Sequence, residues 1–314
     1  MEQEWLGRLE EADDGDSVSA VPLLDVVLGY DCNAACTYCT ITSEMRRRSL
    51  TPQAVAREID RAAAQGFRDI AFTGGEPTIR RDLAALVRYA KQRGFSSIKV
   101  SSNGLRYSNG AYLDHLIEAG VNQFNVSAHA FGRVAYETTT RLPGAFESFE
   151  RGLSNLIERG ISPTLDLILK NDTYTLLEDW ITSLVSIGVR RFQLWLVSLT
   201  DGNAHNVEQL PRLTDLVPYL IRAFEAARKG GYEVVSLHTP RCFLPGYEDH
   251  VRHPGAEGVR VVTPDEVFDL RDSRLTGGVK PNACARCVYD ETCPGLRRDY
   301  VERFGDGEVE FRLH

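Results

Sequence analysis

The chain repeats one pattern of hydrophobic and polar positions. An amphipathic stretch with helical spacing ends at a glycine, and a short apolar stretch typical of a buried strand follows at once. The glycines are Gly66, Gly94, Gly120, Gly160, Gly188 and Gly231. The apolar stretches after them are FRDIAFT, FSSIKVS, VNQFNVS, ISPTLDLIL, VRRFQLWLV and YEVVSL, and PLLDVVLG precedes the first helical stretch. Because glycine suits the left-handed position that closes a helix, the pattern predicts a regular alternation of strand and helix.

The first helical stretch carries the signals of a helix at both its start and its buried face. Thr51 is a suitable N-cap and Pro52 fits the first turn, while Val55, Ile59 and Ala63 recur on one face. Strands joined by such helices run parallel, which places the chain in the α/β class. A right-handed series of these units curls into a full or partial barrel, or stays open as a doubly wound sheet. The pattern alone leaves both architectures open.

Polar and reactive residues follow the predicted strands. In both architectures the carboxyl ends of the strands form the edge where ligands bind. In chain order these residues are Cys32, Gly74, Gly75, Glu76, Ser101, Ser102, Asn103, Ser127, Asn171 and Trp195. Tyr38, His129 and His238 also lie near strand ends. They either line a substrate pocket or fill the barrel.

Composition and charge narrow the class of protein. The 314 residues are 43% hydrophobic and 25% charged, as in a soluble globular protein with a large core. No apolar run approaches the roughly 20 residues that cross a bilayer, and the acidic start MEQEWLGRLEEADDGD is unlike a signal peptide. We therefore expect a cytoplasmic protein. The net charge of −8 disfavours a nucleic-acid partner, because phosphate binding needs clustered Lys and Arg.

Three of the seven cysteines lie in one short segment, CNAACTYC, as Cys32, Cys36 and Cys39. In a reducing cytoplasm, thiols at such spacings are more often metal ligands or catalysts than disulfides. Three thiolates can hold a [4Fe-4S] cluster and leave one iron free to bind a small cofactor. The alternatives are three unrelated buried thiols or a zinc site, for which the next ten residues supply no His or Cys.

This segment and the turn after the second strand resemble the radical SAM superfamily, enzymes that cleave S-adenosylmethionine with a three-cysteine [4Fe-4S] cluster. The spacing of the three cysteines matches the family, with the aromatic Tyr38 just before the third. The GGEP at residues 74–77 follows the second strand as the family's own GGEP segment does. The resemblance covers about residues 21–240 and implies a partial (β/α)6 barrel of the TIM type.

The resemblance also implies how S-adenosylmethionine is held. Its methionyl end is a zwitterion, whose amino group needs acceptors and whose carboxylate needs donors. The amino group would meet Thr73, Gly74, Gly75 and Glu76, the carboxylate Ser127 and Arg141, and the ribose Ser102 and Asn103, with Tyr38 in the same cofactor-binding set. Taken singly, the glycines could form a mere turn, Ser127 could be a strand-end hydroxyl, and Arg141 could be a solvated charge.

The other four cysteines are Cys242, Cys284, Cys287 and Cys293. Three and four are the numbers of thiolates for one open and one fully ligated [4Fe-4S] cluster. The run CARCVYDETC resembles part of the SPASM extension of radical SAM enzymes, or its shortened twitch form, which implies an auxiliary cluster. Arg297 stands where a further cysteine would be expected, so we expect no second auxiliary cluster. A structural zinc, or an auxiliary cluster with three ligands, is the alternative.

These observations divide the chain and define its expected function. We expect an acidic tail at residues 1–20, a radical SAM barrel at 21–238 and an auxiliary-cluster extension at 239–314. The resemblance implies an enzyme that reductively cleaves S-adenosylmethionine to a 5'-deoxyadenosyl radical, which then abstracts hydrogen from a small metabolite or a peptide. The alternatives are an iron–sulfur electron carrier and a zinc-stabilised binding protein. The reaction outcome, whether oxidation, epimerisation, rearrangement or bond formation, does not follow from the sequence.

Two further features bear on partners. About thirty residues precede Cys32, too few for a leader-peptide reader, which favours a small metabolite. A ribosomal-peptide maturase with a separately encoded reader is the alternative. The runs Arg46–Arg48 and Arg80–Arg81 are either solvated faces or a dock for an anionic substrate or an acidic reductant such as flavodoxin or ferredoxin.

Overall fold

The computed structural model describes residues 22–253, 258–270 and 278–310, so the predicted acidic tail at 1–20 lies outside the described residues. In the described part, nine strands form one sheet. The strands are β1 (Leu23–Val27), β2 (Asp69–Thr73), β3 (Ser97–Ser102), β4 (Gln123–Ala128), β5 (Thr164–Leu169), β6 (Arg191–Leu196), β7 (Glu233–Ser236), β8 (Val259–Val262) and β9 (Val267–Asp269). The helices are α1 (Pro52–Ala64), α2 (Leu83–Gln92), α3 (Gly110–Ala119), α4 (Arg133–Thr140), α5 (Ala145–Glu158), α6 (Leu177–Ser186), α7 (Leu213–Gly230), α8 (Arg298–Phe304) and α9 (Gly307–Glu310).

The order of the strands decides between the two architectures. The sheet runs β7-β6-β5-β4-β3-β2-β1-β8-β9, and β1 to β7 are parallel. Because this order follows the chain from β1 to β7 and such crossovers are right-handed, all the connecting helices lie on the same face. A doubly wound sheet would need a reversal of strand order. The fold is therefore the predicted α/β partial barrel of the TIM type.

Alternate strand residues pack against the helices and form the core. These buried residues include Leu24, Val26, Ile70, Phe72, Ile98 and Val100. Each such side chain contributes about 1.5 to 3 kcal/mol when it leaves water, which holds the helices on the sheet. In α1 the Thr51 hydroxyl accepts from the Ala54 amide at 3.2 Å, and Val55 and Ile59 are buried, as the sequence predicts. All six predicted helix-closing glycines have positive φ.

Two strands in the C-terminal segment, which the sequence pattern does not predict, extend the sheet beyond β1. β8 pairs in parallel with β1, with Leu24 opposite Arg260, and β9 returns antiparallel to β8. The edges of the sheet are then β7 and β9, which have four and three residues. The hydroxyl of Tyr300 in α8 accepts from the Leu213 amide at 2.8 Å and so ties the extension to α7. No helix in the described ranges is long and apolar enough to cross a membrane.

Candidate active site and auxiliary cysteine site

The three closely spaced cysteines lie in the connection from the carboxyl end of β1 to α1, which we call the cluster loop (residues 29–42). Cys32, Cys36 and Cys39 are all half-buried, and the Cys39 amide donates to the Cys36 carbonyl at 3.1 Å. Burial, and after it the neighbouring thiols Cys39 and Cys32, raise the pKa of Cys36 to about 12. Thiolates so close together favour a positively charged group among them, and three of them fit an iron–sulfur cluster.

The glycine turn after β2 packs directly on the start of the cluster loop. A Cβ atom on Gly74 would lie 2.3 Å from the Gly29 carbonyl oxygen, and one on Gly75 would lie 2.2 Å from that of Asp31. Gly74 also has φ 127°, which favours glycine. The Gly75 amide donates to the Gly29 carbonyl at 2.9 Å, and the Glu76 amide to the Asp31 carbonyl at 2.8 Å. The two glycines therefore allow this approach of two backbones.

The side chain of Glu76 connects the ends of β2 and β3. It is 2% exposed and accepts hydrogen bonds from the Thr78 amide (3.0 Å) and hydroxyl, the Ser102 hydroxyl (2.8 Å) and the Asn103 amide (2.7 Å). The Asn103 side chain in turn donates to Asn33 of the cluster loop at 2.8 Å. Burial raises the pKa of Glu76, and these hydrogen bonds oppose the rise. Three predicted cofactor-binding residues are thus brought together, with their polar groups bonded within the chain.

Three of the five arginines in the two runs make hydrogen bonds or ion pairs within the chain, which a fully solvated face would not. Arg46 donates to the Cys32 carbonyl at 3.1 Å and to the Ala34 carbonyl at 2.8 Å, so it holds the cluster loop. Arg48 pairs with Asp265 at 2.6 Å. Arg80 donates to the carbonyls of Leu28 and Leu50, both at 3.0 Å, and pairs with Asp82 at 2.7 Å. Arg47 and Arg81 are exposed.

The far side of the cluster loop rests on α4. The amides of Ala35 and Thr37 donate to the carbonyls of Thr140 and Thr139 at 3.1 and 2.8 Å. Arg141 follows these carbonyls directly, is exposed and has φ 54°. Ser127 is half-buried in β4, opposite Asp166 of β5. The structure therefore places Arg141 beside the segment that supports the cluster loop and Ser127 within the sheet.

Tyr38 of the cluster loop meets residues from the ends of β4 and β5. Its hydroxyl is hydrogen-bonded to Nδ1 of His129, and the ammonium of Lys170 lies 5.8 Å from its ring centre. Burial, with a smaller contribution from Lys170, lowers the pKa of His129 to about 4, so this imidazole is neutral near pH 7. Nε2 of His129 is buried without a hydrogen-bond partner in the described part of the chain. Sequence reasoning missed Lys170, whose signal is a Lys at the end of an apolar strand.

The inner face of the barrel carries charged residues that the sequence analysis did not single out. Asp25 accepts from the Thr73 hydroxyl at 2.6 Å, and Asp166 accepts from the Trp195 indole at 3.1 Å. Burial raises the pKa of Asp166 to about 7, although the Trp195 hydrogen bond and the charge of Lys99 oppose the rise. Their signal in the sequence is a single charge inside each apolar strand, as in LLDVV, SIKVS and TLDLIL.

The second set of cysteines also converges. Cys242, Cys284, Cys287 and Cys293 are half-buried and line one cleft. Burial, and then the charges of the other three thiols, raise the pKa of Cys242 to about 12. Four thiolates fit either a [4Fe-4S] cluster or a tetrahedral zinc. Among the described residues, no group of three or more Cys, His, Asp or Glu side chains has the geometry to hold one metal ion.

Part of the sequence matches a known family. The family model "Radical SAM superfamily" matches residues 26–176, a range that contains the cluster loop and the glycine turn. "Probable GTP 3',8-cyclase" of Sulfurisphaera tokodaii is 29% identical over 173 residues, 54% of each chain. The protein of the same name from Methanopyrus kandleri is 31% identical over 165 residues, 52% of each chain. The chain thus spans about half the length of the curated relatives it matches.

Solved structures share the fold at low sequence identity. Streptococcus suis SuiB bound to S-adenosylmethionine is 12% identical with a TM-score of 0.68, over 92% of this chain and 76% of SuiB. Native anSMEcpe with bound AdoMet is 15% identical with a TM-score of 0.63, over 93% of this chain and 97% of its own. At these identities the likeness concerns the fold alone.

Proposed function

The chain contains a radical SAM domain over residues 26–176 and is a radical SAM enzyme, and on this premise we propose that Cys32, Cys36 and Cys39 hold a [4Fe-4S] cluster. When bound, the cluster would supply one electron that splits S-adenosylmethionine into methionine and a 5'-deoxyadenosyl radical, which takes a hydrogen atom from a substrate C–H bond and leaves as 5'-deoxyadenosine. The protein's part is to orient the reactants and to exclude water.

One observation carries this proposal: the cluster loop and the glycine turn are built as one unit. The amides of Gly75 and Glu76 donate to carbonyls of the cluster loop, and Asn103 at the end of β3 donates to Asn33. A cofactor that ligates the free iron must also reach the turn beside it, which suits the zwitterionic end of S-adenosylmethionine. An electron carrier or a zinc-stabilised binding protein needs no such turn.

The geometry refines the proposed cofactor contacts. The backbone carbonyls of Thr73, Gly74 and Gly75 remain the proposed acceptors for the amino group. The carboxylate of Glu76 has four donors within the chain, so we assign it the positioning of the turn and of the end of β3. Contacts of Ser102 and Asn103 with the ribose, of Ser127 and Arg141 with the carboxylate, and of Tyr38 with the cofactor remain proposals.

The test is formation of 5'-deoxyadenosine by anaerobically reconstituted protein with dithionite and S-adenosylmethionine. We expect both 5'-deoxyadenosine and methionine, and neither in the variant in which Cys32, Cys36 and Cys39 are all Ala. Equal amounts from the parent and the variant would contradict the proposal. Protein that holds iron but forms no 5'-deoxyadenosine would favour the electron carrier, and protein that holds only zinc would favour the binding protein.

For the substrate we propose a small polar metabolite before a peptide. The polar side chains of Asp25, Lys99 and Asp166 on the inner face of the barrel suit a polar molecule, and the curated relatives are named as probable cyclases of GTP. GTP is therefore the first compound to add, and a rise of 5'-deoxyadenosine above the substrate-free rate is the expected sign of turnover. SuiB, which shares the fold, has also been solved bound to the precursor peptide SuiA, which makes a peptide the second candidate.

The proposal extends to the second cysteine set and to the electron source. The cleft lined by Cys242, Cys284, Cys287 and Cys293 supports an auxiliary [4Fe-4S] cluster in the C-terminal extension at 239–314, with zinc as the alternative. A flavodoxin or ferredoxin would supply the electron. Exposed Arg47 and Arg81 are the members of the two arginine runs left to meet such an acidic partner.

A further inference from the structure

We propose that residues 196–206, which we call the rim segment, connect the two cysteine sites, so that the C-terminal extension positions the cluster loop. The inference rests on the proposed function, since it takes the cluster loop to hold the catalytic cluster. The rim segment begins at the carboxyl end of β6 and runs past the cluster loop before α7 begins. One of its ends is held by the extension, and its other end holds the cluster loop.

The extension holds the start of the rim segment through two charged residues. Arg297 donates to the carbonyls of Leu196 and Val197 at 2.7 and 2.8 Å. Asp299, which pairs with Arg297, accepts from the Leu199 amide at 2.9 Å. Both side chains are largely buried, at 14% and 9% exposed. Arg297 comes four positions after Cys293, so three of the four cysteines of the second site, Cys284, Cys287 and Cys293, share one short stretch of chain with this pair.

The end of the rim segment holds the cluster loop. The Gly202 amide donates to the Thr40 carbonyl at 2.8 Å, and the Asn206 side chain donates to the Thr37 carbonyl at 3.1 Å. A Cβ atom on Gly202 would lie 3.0 Å from the carbonyl oxygens of both Cys39 and Thr40. The rim segment therefore binds the cluster loop at Thr37 and Thr40, which lie on either side of Tyr38.

The middle of the rim segment transmits this hold because it is internally fixed. Asn203 is fully buried, donates to the Ser198 carbonyl at 2.7 Å and accepts from the Asn206 side chain at 2.6 Å. Asp201 has φ 45°, a left-handed conformation that costs a non-glycine residue energy and persists only where its surroundings impose it. Ser198, which lies between Val197 and Leu199 that the extension holds, is therefore linked to Asn206 through the two hydrogen bonds of Asn203.

Three features make Arg297 and Asn206 positioning residues, not general stabilisers. Arg297 contacts the start of the rim segment and Asn206 lies at its end, both bind backbone carbonyls, and the loop that Asn206 contacts carries Cys36 and Cys39. Arginine suits this role because its guanidinium binds two carbonyls at once, which a lysine does not reproduce. Arg298, the next residue, is exposed and provides a matched control.

The test compares Arg297→Gln, Arg297→Lys and Arg298→Gln in the reconstituted holoprotein. The readout is the change that S-adenosylmethionine produces in the electron paramagnetic resonance spectrum of the reduced protein, because only a cluster with an open iron responds to it. We expect Arg297→Gln to weaken S-adenosylmethionine binding at least about fivefold and to shift the spectrum, Arg297→Lys to restore part of the affinity, and Arg298→Gln to match the parent. Parent-like binding and spectrum in Arg297→Gln would overturn the inference.

A second variant approaches the link from its other end. Asn206→Ala should alter the same spectrum, with exposed His205→Ala as its control. If both substitutions act through the rim segment, the double variant Arg297→Gln/Asn206→Ala has nearly the same affinity for S-adenosylmethionine as the single variant that binds it more weakly. Fully additive losses would show independent effects and contradict the link. If the parent itself gives no response to S-adenosylmethionine and no 5'-deoxyadenosine, the proposed function fails. If the parent responds and the Arg297→Gln and Asn206→Ala variants respond as the parent does, this inference alone is refuted.

Discussion

At the scale of single residues, the carboxylate of Glu76 shows how a group with ligand-binding potential is committed to the fold. Its two oxygens accept four hydrogen bonds from Thr78, Ser102 and Asn103. Hydrogen bonds to a charged, buried acceptor contribute about 1.5 to 3 kcal/mol each, and a donor left without its acceptor costs a similar amount. Substitution there should therefore act on stability before it acts on ligand binding.

We predict that Glu76→Gln lowers the free energy of unfolding by about 2 to 3 kcal/mol, because the amide turns an NH2 group toward at least one donor. Urea-induced unfolding of the metal-free protein measures this without any cofactor. Glu118→Gln, at an exposed position in α3, should leave the unfolding midpoint unchanged. An unchanged midpoint in Glu76→Gln would mean that the carboxylate is free for a ligand after all.

Asp166 predicts a pH dependence with a definite sign. Its pKa in the fold is about 7, above the ordinary 3.8, because it is buried. Between these values the folded chain keeps a proton that the unfolded chain has lost, so this residue's contribution to stability falls as the pH rises from about 4 to about 7. Asp166→Asn cannot ionise, and we expect it to gain about 1 to 3 kcal/mol relative to the parent over that range.

Unfolding curves of the parent and Asp166→Asn at a series of pH values check this prediction. Subtracting the free energies of unfolding of the two proteins at each pH cancels the contributions of all ionisable groups that both contain. Asp249→Asn, at an exposed position, is the matched control and should follow the parent. A constant difference between parent and Asp166→Asn across the range would rule out the raised pKa.

At the scale of elements, the contact between the glycine turn and the cluster loop gives the next prediction. The Cβ atom of Gly75→Ala would lie 2.2 Å from the Asp31 carbonyl oxygen, so the loop has to move. We expect the reconstituted variant to lose most of the iron held by Cys32, Cys36 and Cys39. Gly307→Ala, where a Cβ meets nothing within 4 Å, should keep its iron. Iron content by colorimetric assay decides, and full retention in Gly75→Ala would contradict the close approach.

The elements also show how far sequence reasoning reaches. The repeated pattern of glycine and apolar strand predicts β1 to β7, because each of these strands belongs to the repeat. It misses β8 and β9, which lie outside the repeat, although β8 has four residues as β7 does. It identifies Glu76, Ser102 and Asn103 as neighbours through the family resemblance. It cannot show that they bond one another, since such contacts join positions far apart in the chain.

At the scale of the whole molecule, the division of the cysteines into three and four leads to an iron count. We expect about eight irons in the reconstituted protein and about four when Cys32, Cys36 and Cys39 are replaced by Ala. Replacing Cys284 and Cys287 instead should remove the irons of the auxiliary site. Inductively coupled plasma mass spectrometry measures iron and zinc together. About four irons with one zinc in the parent would reject the auxiliary cluster and leave the catalytic one in place.

In the described part of the chain the sheet does not close on itself, so it has two edge strands. Its two outermost strands, β7 and β9, have only four and three residues. The Ser236 carbonyl at the end of β7 already accepts from the Arg252 amide at 2.9 Å. Long exposed edges are templates on which a second molecule can add a strand and begin to aggregate. The hairpin of β8 and β9 covers β1, which would otherwise be a five-residue edge strand, and replaces it at the edge with the three-residue β9. Both edges are therefore short, which disfavours self-association by the addition of strands.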